Sequence, residues 1–151
     1  MHGEATRESP EAKKAVFRRL VELYAQASVD ALEALVASGY VGHTAAGDRD
    51  WAEFRQSILN FHQLFEYAPD SFVVEDQFVD GDKVATRMTA RVRDRETRQP
   101  ITMIGINLAI IRGGKIHEEW NTWEMMASAE QDNDAGRNNA SLSVRGAAKP
   151  A

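Results

Sequence analysis

The sequence predicts an α+β domain in which three N-terminal helices pack on one face of a curved antiparallel sheet. Three observations carry this. Apolar residues recur at helical spacing up to Phe65, the pattern changes to strand-length β-branched runs after Pro69, and Asp80-Gly81-Asp82 and Gly113-Gly114 separate those runs as turns.

The first helix starts at Ser9-Pro10-Glu11, with a serine cap, proline at the first helical position and an acid in the first turn. Val16, Leu20, Leu23, Tyr24 and Ala27 give it one apolar stripe. A short second helix is predicted from Asp30 to Ala37, carrying Leu32, Leu35 and Val36 and stopping at Ser38-Gly39. Tyr40 to Arg49 reads as a loop or short strand. Asp50 with Glu53 three residues on forms a capping box, and Trp51, Phe54, Ile58, Phe61 and Phe65 mark the buried face of a third helix.

Strands are predicted over Ser71–Val79, Lys83–Arg93, Ile101–Arg112 and Lys115–Glu124, with the charged stretch Asp94–Pro100 as an exposed loop. The last hairpin is the most informative segment. With Gly114 left-handed in a three-residue loop, Asn107 faces Glu119, Gly105 faces Asn121, and Met103 faces Trp123. A two-residue turn would instead put Asn107 opposite Trp120. In the first register one sheet face mixes amide, carboxylate, thioether and indole, as a small-molecule pocket does. Ile104, Ile106, Leu108 and Ile110 fill the other face. Residues 1–126 read as one domain and 127–151 as a polar, flexible tail.

Composition narrows the function classes. The 151 residues include no cysteine, so disulfides, thiolate catalysis and zinc–cysteine sites are excluded. A net charge of −5 argues against sequence-independent nucleic-acid binding. No apolar run is long enough to span a bilayer, and the charged N-terminus lacks the apolar stretch of a signal peptide. A soluble cytoplasmic protein with no membrane or nucleic-acid partner is expected.

Two stretches resemble the SnoaL-like polyketide cyclases, in the nuclear transport factor 2-like superfamily that also holds ketosteroid isomerase and limonene epoxide hydrolase. They are Tyr40-Val41-Gly42-His43, and Gly114-Lys115-Ile116 followed by Glu119-Trp120-Asn121-Thr122-Trp123-Glu124. The resemblance implies a cone-shaped barrel of curved sheet, closed by the helices and enclosing a cavity for an apolar substrate. If the chain is an enzyme, proton transfer without a cofactor is expected. This chain departs from its relatives where they place their proton carriers. The aspartate of the last strand is Asn121, the histidine of the preceding strand is Asn107, and the arginine-x-aspartate of the epoxide hydrolase reads Arg87-Met88-Thr89. An amide cannot accept and return a proton near neutral pH, whereas a buried carboxylate can.

The candidate catalytic residues are therefore Glu119 as base, with Asn121, Asn107 and Arg87 as polar contacts. The candidate ligand-binding residues are Met103, Trp123, Phe54 and Phe61 as walls and His43 at the pocket mouth. A blander reading makes Glu119 and Arg87 a structural ion pair and His43 a surface residue. No metal is expected, because the histidines lack metal-ligand spacing. An outward Trp120 beside Ile104, Ile106 and Leu108 would leave an apolar patch that predicts a homodimer.

Overall fold

The computed structural model describes residues 8–127, so the predicted tail lies outside it apart from Ala127. The described residues form α1 (Pro10–Ala25), α2 (Val29–Glu33), β1 (Val36–Thr44), β2 (Gly47–Arg49), α3 (Trp51–Leu64), β3 (Phe65–Glu66), β4 (Phe72–Asp80), β5 (Lys83–Asp94), β6 (Pro100–Arg112) and β7 (Lys115–Met125). The caps read from the sequence are present. Ser9 Oγ accepts from the Ala12 amide at 3.0 Å, and Asp50 and Glu53 close a reciprocal capping box at the start of α3.

Seven strands make one curved, unclosed sheet in the order β2-β1-β7-β6-β5-β3, with β4 also paired to β5. The antiparallel meander β4 to β7 agrees with the period-two reading. The region before α3 differs. The second helix is only five residues long, and Val36 and Ala37, expected to end it, begin β1. That strand runs parallel to β7, so the sheet is not wholly antiparallel. The cause is non-local: Ile116 donates its amide to Leu35 at 2.7 Å, and Val36 pairs with Ile116 across the sheet.

The β6–β7 hairpin also corrects the expected register. Gly113 and Gly114 make a two-residue turn, both at positive φ (59° and 74°), and Arg112 pairs with Lys115. One extra residue, His117, then bulges out between the Ile111–Ile116 and Ile110–Glu118 pairs. Asn107 therefore pairs with Asn121 and Gly105 with Trp123. The turn and the bulge together shift β7 by two residues from the expected pairing. An even shift returns every side chain to the expected face.

The core lies between α1, α3 and the concave sheet face. Phe17, Leu32, Ile58, Ile111 and Ile116 are fully buried within it. The start of α1 is tied to both hairpin turns. Lys13 Nζ donates to Gly81 O at 2.7 Å, and the Glu8 carboxylate accepts from the amides of Gly113 and Gly114 at 2.8 and 3.0 Å.

Candidate active site

A cavity of about 120 Å³ sits between α1, α3 and the sheet, its helical side lined by Phe17, Leu20, Val21 and Phe54. On β7 the bulge turns Glu119, Asn121 and Trp123 inward, and the odd-numbered residues of β6 bring Met103 and Asn107 beside them. Phe54 and Phe61 of α3 close the helical side. Seven of the nine sequence-derived site residues thus line one cavity.

Glu119 is the most deeply buried polar side chain of the lining. Only 1 % of its surface is exposed, an unusual state for a carboxylate without good partners. Tyr40 Oη donates to its Oε1 at 2.5 Å, and Asn107 Nδ2 donates to its Oε2 at 2.9 Å. Burial and the adjoining carboxylate push the Tyr40 phenol well above its ordinary value, against an opposing pull from Arg49. Tyr40 therefore stays neutral and keeps its donor.

Gly42 makes room for this group. A methyl at its Cα would lie 2.6 Å from Tyr40 Oη and 3.3 Å from Arg49 Nε. Arg49, at the end of β2, holds its guanidinium 4.2 Å over the Phe54 ring and donates from Nη1 to Ser57 Oγ at 3.2 Å. Its buried Nε has no hydrogen-bond partner among the described residues, and neither has Asn107 Oδ1.

Two sequence-derived residues stand elsewhere. Arg87 is exposed and pairs across the strands with Ile106 and Asp76, on the outer face of the sheet. The inner face of β5 is carried by Thr86, Met88 and Ala90, so an arginine between them points away. No Glu119–Arg87 pair is possible, and the cation that lines the cavity with Glu119 is Arg49. His43 is also outside the lining. Its ring stacks on Trp120 at 4.9 Å, and its nitrogens hydrogen-bond two carboxylates, Nδ1 to Asp48 and Nε2 to Glu118, each at 2.7 Å. Those bonds, to Glu118 first, raise its pKa and favour the imidazolium.

Sequence reasoning missed Tyr40 and Arg49 as site residues. Tyr40 was in view as part of the tyrosine-valine-x-histidine stretch, but nothing in its spacing marked it as a partner of Glu119. Arg49 offered no pattern at all.

The sequence profile of the SnoaL-like polyketide cyclases matches residues 14–132. The chain belongs to that family. No curated protein matches the sequence. IdmH from Streptomyces antibioticus superposes with a TM-score of 0.66 at 26 % identity, over 74 % of this chain and 91 % of that one. A SnoaL-like polyketide cyclase from Agrobacterium tumefaciens gives 0.62 at 12 % identity, over 74 % and 91 %. An epoxide hydrolase of M. tuberculosis, resembling the limonene enzyme, gives 0.63 at 9 % identity, over 76 % and 84 %. The last two show the fold alone. Among the described residues no helix is long and apolar enough to cross a membrane.

Proposed function

We propose that this SnoaL-like chain binds a small, largely apolar, oxygenated molecule in the cavity and moves a proton on it without a cofactor. The observation that carries the reading is the Glu119 carboxylate, buried in the wall of an apolar cavity between two fixed donors. Glu119 acts as the base. It takes a proton from the ligand, the electron pair moves onto a ligand oxygen held by the Asn121 amide, and the proton is returned at a second position. That step is isomerisation. Ring closure follows when the freed carbon pair attacks a second carbonyl of the ligand and the proton goes to the new alkoxide. In hydration or hydrolysis the proton Glu119 takes is that of the attacking water. Glu119, two residues before Asn121 and on the same face, takes the part that the resemblance gives to a last-strand aspartate.

Titration with apolar ketones, lactones, epoxides and aromatic polyketide esters tests the binding half. Saturable quenching of tryptophan emission is expected for at least one class, and its loss in Trp123→Phe would place the ligand over that ring. A folded protein that responds to none of them would overturn the reading.

One feature favours a second reading, a dimeric scaffold or non-catalytic binder. Both Glu119 oxygens already serve protein donors, so the carboxylate also ties β1 to β6 and β7. The outer face supplies a surface for the dimer: Ile104 is 39 %, Ile106 53 %, Trp120 39 % and Phe78 67 % exposed. Light scattering is expected to give twice the chain mass and Ile106→Asp the single mass; a wild-type monomer would remove the dimer from either reading.

A further inference from the structure

The proton-transfer account gives no work to Arg49, the one cation lining the cavity among the described residues. Its anchors are neutral. The guanidinium lies 4.2 Å over the Phe54 ring and donates from Nη1 to Ser57 Oγ at 3.2 Å. Ser57 is buried and donates onward to the Phe54 carbonyl at 2.8 Å, so it offers Arg49 a lone pair and no charge.

No carboxylate neutralises this cation. Arg49 joins none of the ion pairs among the described residues. The acids next to it in sequence are engaged elsewhere, Asp48 with His43 and Asp50 with Glu53 in the capping box of α3. Both oxygens of Glu119 serve Tyr40 and Asn107. Arg49 Nε is closed off from solvent with no acceptor among the described residues. A guanidinium keeps its charge at any ordinary pH, and a charge half-buried among apolar side chains is costly without a counter-ion. Its planar fork matches a carboxylate better than any other common group.

The cation also stands beside the base. One point, where a methyl on Gly42 would sit, is 2.6 Å from Tyr40 Oη and 3.3 Å from Arg49 Nε. Tyr40 stacks at 5.7 Å on the same Phe54 ring that carries the guanidinium, and its hydroxyl donates to Glu119 at 2.5 Å. Guanidinium, phenol and carboxylate are thus successive neighbours, with Arg49 and Glu119 both in the cavity wall.

We propose that Arg49 is an anion subsite and that the ligand of the cavity is an acid, whose carboxylate the guanidinium takes while Glu119 works on a carbon of the same molecule. The inference rests on the cavity reading above and deepens it, narrowing oxygenated ligands to those that carry an acid group.

Isothermal calorimetry near neutral pH with 2-naphthoate and 2-acetylnaphthalene tests this. The probes share one flat ring system, suited to the Trp123 indole in the cavity wall, and differ in bearing a carboxylate or a neutral ketone. A cavity that already holds Glu119 rejects a second anion unless a cation receives it. The wild type is expected to favour naphthoate about tenfold or more, the size of one charge-assisted hydrogen bond. Arg49→Gln should abolish that preference, with the ketone losing much less affinity than naphthoate. Arg49→Lys keeps the charge and loses the fork, so it should weaken naphthoate more than the ketone. That variant carries the test if Arg49→Gln does not fold. Equal binding, or a preference for the ketone, in the wild type would overturn the anion subsite and leave the cavity reading standing. A naphthoate preference undiminished by the substitutions would overturn Arg49 as its holder. Binding of neither probe would overturn the subsite together with the cavity reading beneath it.

Discussion

Replacing Gly105 by alanine is expected to unseat Trp123 and to destabilise the domain by about 1–3 kcal/mol, the usual range for overpacking. The added methyl would lie 2.6 Å from Cε3 and Cζ3 and 2.7 Å from Cδ2 of the indole. Something must move, and the choices are few. The backbone of β6 is paired on both sides, with Met88 of β5 and Trp123 of β7 directly beside Gly105. The indole is rigid and is backed by Phe72. It must therefore rotate off the strand, which removes the cavity floor as well as the packing. Chemical denaturation should report the stability loss, and tryptophan emission should shift to the red. Unchanged values for both would show that the ring is not seated on Gly105. Trp123→Leu should relieve the clash, so the double variant should be no less stable than Trp123→Leu alone.

Glu119 is the second position of large effect, and two substitutions there separate its roles. In Glu119→Ala the Tyr40 hydroxyl and the Asn107 amide both lose their acceptor in the interior. Each buried donor left without a partner costs about 1–3 kcal/mol, so a loss of several kcal/mol in urea denaturation is expected. Glu119→Gln keeps the shape and one acceptor oxygen but sets its amide group against a donor, so a smaller loss is expected. On the proton-transfer reading this variant still binds ligand and has no turnover, because the amide cannot carry the proton. Retained turnover in Glu119→Gln would remove Glu119 as the base. Full stability in Glu119→Ala would contradict the two hydrogen bonds.

Most of the architecture was legible before the structure because it is local. Alternation along β5 and β6, the serine and aspartate caps and the paired glycines are written within a few residues of the elements they define. The inner face of the last hairpin was readable for the same reason, even though the turn is one residue shorter than expected. Side-chain parity depends on turn and bulge together, and here they add to an even number. The strand β1 was not legible. Ser38-Gly39 reads locally as a helix stop, and what makes an extended strand of Val36–Thr44 is pairing with β7 far along the chain. Tyr40 and Arg49 went unseen as site residues with it, since their partners come from β7 and α3. Arg87 is a different kind of error. Alternation over Val84, Thr86, Met88, Ala90 and Val92 already turns it outward, and the family's arginine-x-aspartate pattern outweighed that signal.

The pairing of β1 with β7 also bears on the order in which the molecule assembles. Tyr40 and Glu119 are 79 residues apart in sequence, so their contact closes a loop that takes in α3 and every strand from β2 to β6. The neighbouring strands β4 to β7 meet through short turns and lose far less chain freedom in pairing. Loop-closure entropy alone therefore predicts that the meander forms first and that β1 docks onto an edge already built. Until it does, the floor of the cavity exists while its acid–phenol pair does not. On that order the Tyr40–Glu119 contact is made only when β1 arrives, and a chain stalled one step short of the native state would hold its sheet but leave the Glu119 carboxylate without its phenol.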